Sequence, residues 1–188
     1  MHKFSPQHAE RLEQQDRYTL LQPRKTLERL GIRKGMVVAD VGAGTGFFSR
    51  AAADLVGTGG KVFALDMSEE MLGHLRKNGV PANVDVLHSE EYRLPLPDDS
   101  VDAAFIAFVL HETPDRDRFL RELNRVTRAA GRIVIVEWKK QDEEHGPAEE
   151  ERLAAGDLEK NLREYSILDR GDLNDSHYFF VAGSRKDT

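Results

Sequence analysis

The chain has 188 residues, with 27 Lys+Arg against 33 Asp+Glu, a formal charge of -6 and no cysteine. That length supports one domain with at most a small appendage and is enough to bury a substantial core. Without cysteine, disulfide scaffolds, thiolate nucleophiles and Cys-ligated zinc or iron–sulfur centres are excluded, and the acidic balance disfavours a general nucleic-acid binder. No apolar run approaches the roughly 18 residues of a membrane span. The N-terminal Met1-His2-Lys3-Phe4-Ser5-Pro6 lacks the apolar centre of a signal peptide, so a cytoplasmic location is expected.

Charge is uneven along the chain. Residues 1–34 hold eight Lys/Arg and four acids, and residues 139–164 hold nine acids and five bases, which reads as solvated surface. The apolar pattern predicts a strand over 36–41, a glycine turn, and a helix over 47–56 ended by Gly57. A second strand over 61–65 follows. Ser68 then caps a helix over 69–78, which Gly79 and Pro81 stop, and a short strand covers 84–87. After the turn at 97–100 comes a strand over 101–108. Thr113 and Pro114 are expected as N-cap and first residue of a helix to about Arg125, with Phe119, Leu120, Leu123 and Val126 on one face. Gly131 closes the connection to a fifth strand over 132–137.

The last fifty residues or so change character. A short acidic helix is expected over 149–155, ended by Gly156. Strands over 162–168 and 177–184, joined by the turn-rich 169–175, suggest an antiparallel edge hairpin; a helix over 157–163 is the alternative. The fold class is therefore α/β, a doubly wound and mostly parallel sheet with helices on both faces and a C-terminal antiparallel edge hairpin. Residues 25–188 are expected to form one domain with its core at about 35–140, and residues 1–24 a cap or lid, or else a surface helix docked on the sheet.

The strongest chemical signal is Asp40-Val41-Gly42-Ala43-Gly44-Thr45-Gly46, set between a strand and a helix. Gly42 permits the sharp turn, Gly44 lets a ligand reach the backbone, and Gly46 allows close approach at the helix start. Free N–H groups there favour an anionic or polar ligand. Asp66 lies 24 residues after Gly42 at the end of the next strand, where a carboxylate can accept both ribose hydroxyls. Together they point to a purine nucleoside. A dinucleotide fingerprint would need G-x-G-x-x-G, and Phe47 stands at its last position.

With these residues the chain resembles the class I S-adenosylmethionine-dependent methyltransferases over roughly residues 25–140, closest to the type 11 and ubiquinone/menaquinone-biosynthesis-like branch. Asp40 to Gly46 matches the family's first motif and Asp66 its ribose acid. Leu94-Pro95-Leu96-Pro97-Asp98-Asp99-Ser100-Val101-Asp102 matches its L-P-F/L-x-D-x-S-F-D stretch. The family's R-V-L-K-P-G-G segment stands here as Arg125-Val126-Thr127-Arg128-Ala129-Ala130-Gly131, without the proline and first glycine, a departure in a structural turn.

The resemblance implies a Rossmann-like methyltransferase fold and S-adenosylmethionine as cofactor. It implies that Asp40 binds the methionine amino group, directly or through water, and that Gly42 and Gly44, with Ala43 and Gly46 in the same turn, line the cofactor. Glu90, or in the other register Ser89, meets the adenine amino group. Met67 packs on adenine or in the core, and Phe108 meets the methionyl part or belongs to the core. At the strand ends His111 is the candidate base, with a cap or packing histidine as the alternative, and Glu112 orients it or contacts substrate. Trp138 contacts substrate or packs. His111, Glu112 and His145 match no metal-ligand spacing, so no metal is expected.

The expected activity is methyl transfer to a small-molecule acceptor, in a chain admitting a homodimer. An RNA or protein methyltransferase and a noncatalytic cofactor-binding protein are the alternatives. No Asn/Asp-Pro-Pro-Tyr/Phe tetrapeptide is present, against the usual DNA-adenine or glutamine N-methylation site, and the absence of cysteine excludes the cytosine-C5 route and disfavours arsenite methylation.

Overall fold

Uninterrupted apolar runs ending in glycine or proline turns build strands that are buried on both faces. The structure, a computed structural model, describes residues 14–185. Strands β1 (Val37–Val41), β2 (Lys61–Asp66), β3 (Val84–His88), β4 (Val101–Ala107) and β5 (Thr127–Trp138) are parallel. Strands β6 (Ile167–Asp172) and β7 (His177–Gly183) form the antiparallel hairpin, and the sheet order is β3-β2-β1-β4-β5-β7-β6. The order reverses beside β1, which opens a crevice at the carboxyl ends of β1 and β4.

Among the described residues six helices, α1 (Gln15–Leu21), α2 (Pro23–Arg29), α3 (Phe47–Val56), α4 (Glu69–Lys77), α5 (Arg116–Val126) and α6 (Ala155–Asn161), cover the sheet. Alternation along β5 divides the core. Val134 and Val136 face Leu27, Phe48, Ala52 and Val56 of α2 and α3, whereas Ile133 and Ile135 face Phe119, Leu120, Leu123 and Leu158 of α5 and α6. Each set excludes water from one side, which fixes strand register. Ser68 caps α4 as expected, accepting from Met71 N–H at 3.2 Å, and Gly57 ends α3 with φ 68°.

Three local expectations are corrected. The cap expected at Thr113 is Asp115, whose carboxylate accepts from Arg118 N–H at 3.0 Å. Thr113 instead donates from its hydroxyl to Val109 O, because residues Leu110–Glu112 make a 3-10 turn that carries the chain past Pro114 before α5 begins. The acidic helix expected over 149–155 is only a 3-10 turn at Glu149–Glu151, with no buried residue to anchor three adjacent glutamates. The helix forms one step later, with Gly156 inside its first turn, because Leu158 and Leu162 reach the core. Consequently β6 starts at Ile167 rather than 162 and reaches Asp172, shortening the connection to β7.

Strand β5 also starts early, at Thr127. Val101 pairs with Thr127 and Ala103 with Arg132, so the altered family turn is a bulge within the strand. Arg128 pairs with Asp102 across it. A Cβ on Gly131 would meet Thr127 Cγ2 at 2.6 Å, so the retained glycine is required by contact.

Candidate active site

After β1 the chain turns through Gly42, Gly44 and Gly46 with φ of 76°, 55° and 85°, a region glycine enters without strain. A Cβ on Gly42 would lie 2.4 Å from Val109 Cγ2. Gly42 and Ala43 N–H both donate to Leu65 O (2.8 and 2.9 Å), Gly44 N–H to Asp66 Oδ2 (2.8 Å) and Gly46 N–H to Ala43 O (2.9 Å). These four amides precede α3 and are taken up within the protein. The turn packs on β2, and its donors are satisfied within the protein.

Asp66 is held by this turn: Oδ2 accepts from Gly44 and Oδ1 from Ser68 N–H at 2.8 Å. Burial raises its carboxyl above the usual value, against backbone hydrogen bonds from Ser68, Gly44 and Met67. Beside it opens a cleft whose walls include Val41, Gly42, Met67, Ser89, Glu90, Val109, Glu112 and Phe119. Met67 is 44% exposed, which makes it cleft wall and not core. Ser89 N–H donates to Asp66 O at 3.0 Å, and both Ser89 and Glu90 reach the cleft. A carboxylate with lone pairs left for a diol, beside apolar walls for a purine, fits the adenosyl half of the expected cofactor.

Asp40 is not in the cleft wall. It is buried behind the turn, where Ser49 Oγ donates to its Oδ2 at 2.5 Å. Burial pushes its carboxyl up to about 7; the Ser49 bond opposes this, the charge of Asp66 adds to it, and Arg17 opposes it.

The cleft wall reaches Glu112, and His111, its chain neighbour, is buried beside it. Glu137, at the end of β5, is fully buried and organises this corner. Its Oε1 accepts from Leu110 N–H (2.8 Å) and His111 N–H (3.2 Å), and its Oε2 from Trp138 N–H (3.3 Å). His111 Nδ1 lies 2.9 Å from Oε2, and Nε2 lies 3.7 Å from Glu112 Oε1. Burial alone would depress the imidazole, but the Glu137 hydrogen bond and the charges of Glu137 and Glu112 outweigh it and raise its pKa above 6.5. Orientation of the ring, expected from Glu112, comes from Glu137. With Nδ1–H engaged, Nε2 of the neutral ring is the proton acceptor.

The other sheet face carries an aromatic group at the same end. Phe108 follows β4 with φ 63°, a strained value for a bulky residue, and its ring lies 5.3 Å from Trp138 and 4.9 Å from His177. Trp138 and His177 are cross-strand partners with rings 4.3 Å apart. The Arg17 guanidinium of α1 lies 4.3 Å from the Phe47 ring and 5.8 Å from Phe108, and Tyr18 packs on Phe47 at 4.5 Å. Residues 1–13 of the expected lid lie outside the described residues. Arg152 is buried under the segment 139–152. It donates to the carbonyls of Lys139, His145 and Pro147, pairs with Glu143 at 2.6 Å, and lies 5.0 Å from the Trp138 ring.

Sequence reading passed over Ser49, Arg152 and His177 and gave Glu137 no role. Glu137 did carry a signal, as a charge at the carboxyl end of the apolar run Ile133-Val134-Ile135-Val136. Ser49, Arg152 and His177 depend on helix packing, loop closure and the β5–β7 register, which no local pattern encodes.

Comparison with known proteins agrees with this geometry. The family described as a methyltransferase domain, type 11, matches residues 39–135, just over half the chain. A SAM-dependent methyltransferase from Aquifex aeolicus is 34% identical with a TM-score of 0.91, over 97% of this chain and 100% of that one. A putative type 11 methyltransferase from Sulfolobus solfataricus, 23% identical with a TM-score of 0.75 over 89% of this chain and 95% of that one, shares the fold. The ubiquinone/menaquinone biosynthesis C-methyltransferase of Hahella chejuensis is 36% identical over 121 residues, 62% of this chain and 49% of that protein. The chain spans about half the length of the curated relatives it matches. A glycine turn bonded to the acid that ends the next strand of this sheet, and a relative matched over its whole length, make the chain a member of the type 11 branch of the class I S-adenosylmethionine-dependent methyltransferases.

Proposed function

We propose that the chain methylates a small-molecule acceptor, with His111 as the base that takes the acceptor's proton. The observation that carries this reading is the His111–Glu137 pair, with Nδ1 held at 2.9 Å by a fully buried carboxylate and Nε2 left to accept. S-adenosylmethionine supplies, when bound, a methyl group already activated on a positive sulfur. Asp66 then receives the ribose hydroxyls, Met67 and Val109 flank the purine, and Ser89 or Glu90 meets its amino group. Asp40, behind the turn, balances the positive charge of the methionine end.

Charge favours a small acceptor over RNA. Glu112, Glu137 and Glu151 all act on His111, and such a carboxylate corner repels a phosphate backbone. Among the described residues no helix is long and apolar enough to cross a membrane.

The test supplies methyl-labelled cofactor with three substrates: an ultrafiltrate of small metabolites, total RNA and total protein. Label is expected in the small-molecule fraction; label confined to RNA or protein overturns the reading. Asp66→Ala should weaken cofactor binding by calorimetry about tenfold or more, roughly 1.4 kcal/mol. His111→Ala should leave that affinity intact and lower kcat by about 10²–10⁴. An unchanged kcat would remove the base.

A further inference from the structure

Beyond α6 the chain runs Asn161-Leu162-Arg163-Glu164-Tyr165, where Leu162 and Tyr165 enter the core and keep Asn161, Arg163 and Glu164 out of it. Asp117 and Arg121 of α5 stand opposite, and Arg185 comes in after β7. Between them opens a second cleft of about 120 Å³, which shares no lining residue with the cleft beside Asp66. Its acids are already engaged. Asp117 Oδ1 accepts from Asn161 Nδ2 at 2.8 Å, and Glu164 Oε2 pairs with Arg185 at 2.7 Å. Arg121 and Arg163 line the same cleft, and their guanidiniums have no ion pair or hydrogen bond among the described residues.

Tyr165 adds a third donor. It is 8% exposed, and its hydroxyl is buried without a hydrogen-bond partner. Burial raises the phenol above its ordinary pKa, against the Arg185 guanidinium beside it and the charge of Arg121, so the proton stays on at neutral pH. Arginine only donates, so neither neighbour can accept that proton. An orphaned buried donor costs about 1–3 kcal/mol, and a phenylalanine would fill the core contact without it.

What this group of residues lacks is an acceptor. The chain carries a charge of -6, yet the cleft holds three arginines against two acids. Two unpaired guanidiniums match a charge of about −2, which a phosphate monoester carries at neutral pH and a carboxylate only halves. Guanidinium forks also suit the several oxygens of a tetrahedral anion.

We propose that this cleft is a phosphoryl-binding site, in which Arg121 and Arg163 hold the oxygens of a free phosphate or a phosphate monoester and Tyr165 donates its hydroxyl to them. The site is separate from the cofactor cleft and does not depend on methyl transfer.

The experiment titrates inorganic phosphate, glycerol 3-phosphate and acetate into the full chain at neutral pH and constant ionic strength, following the arginine Nε–H signals by NMR. The Arg121 and Arg163 signals are expected to shift saturably, with a Kd of about 1 mM or below for the tighter phosphate, and acetate should bind about tenfold more weakly. The tighter of the two phosphates tells a monoester from free phosphate as the source. Arg121→Gln and Arg163→Gln, both exposed changes, should each weaken binding about fivefold or more. Tyr165→Phe should weaken it about threefold while holding or raising the Tm. Arg24→Gln, in an exposed pair with Glu28 on α2, should change nothing, and neither should saturation with S-adenosylhomocysteine. No saturable shift, acetate binding as well as phosphate, competition with S-adenosylhomocysteine, an equal loss in Arg24→Gln, or an affinity that survives both arginine substitutions overturns the proposal. An affinity unchanged in Tyr165→Phe overturns the part given to the hydroxyl.

Discussion

Glu137 is a carboxylate without solvent contact at the end of an apolar strand, and its four donors converge from Leu110, His111 and Trp138. Three are backbone amides, so the turn after β4 is folded around this side chain. The fourth is the imidazole, whose raised pKa means that His111 keeps its proton above pH 6.5. A base needs Nε2 free, so kcat should rise with pH through that raised value. Glu137→Gln removes the negative charge and leaves burial and the more distant acids, so the rising limb should move to lower pH. The altered donor pattern at Nδ1 should also lower the plateau, by about 10²-fold or more. A pH profile of kcat checks both, and a limb that stays in place would detach His111 from the rate. The imidazole's stabilising effect follows the same sign: it is fully present below pH 6.5 and lost as pH rises through the folded value.

At the scale of elements, the parallel strands and the helices between β1 and β5 were legible because each carries its own signal. Ser68 announces α4, Gly57 ends α3, and the glycine turn to Asp66 spacing follows from two adjacent strands of ordinary length. Elements after β5 were less legible because tertiary burial chose among weak local patterns. Leu158 and Leu162 place α6 one turn beyond the acidic run, and that moves β6. His111 and Glu137 stand 26 residues apart, and only the β4–β5 pairing joins them. The segment 139–152 is the extreme case, an irregular loop closed by one buried arginine. Hydrogen bonds to Ser176, Gln141 and Arg152 overcome the burial of Glu143 and hold its carboxyl at about 2. Arg152→Met should therefore take their Arg152 donor from three carbonyls, strip Glu143 of its cationic partner and lower stability by roughly 1–3 kcal/mol. Limited proteolysis should then cut within 139–152 before any strand. Resistance equal to wild type would mean that the loop is held by other contacts, with Gly146 against the Trp138 ring the first to examine.

Across the whole molecule, opposed titrations tie stability to binding. His177 refuses a proton that the unfolded chain takes up, so its contribution is present above pH 6.5 and lost as pH falls towards about 4. Asp40 acts in the opposite sense. Folded, it keeps its proton to about pH 7, whereas an unfolded aspartate loses it near 3.8, so stability falls as pH rises between those values. Above pH 7 the buried charge persists at a penalty of roughly 4 kcal/mol. The same charge is what a cationic methionine end would neutralise. Asp40→Asn should accordingly raise the Tm of the cofactor-free chain at pH 8 by about 5–15 °C and change it little at pH 4. It should also reduce the gain from ligand, which for wild type at a hundredfold excess over Kd is about 2.7 kcal/mol, or roughly 5–10 °C. Thermal melts of both proteins at both pH values, with and without S-adenosylmethionine, give the comparison. An Asp40→Asn chain no more stable at pH 8, or one with a full ligand-induced shift, would show that the buried carboxyl serves the fold and not the cofactor.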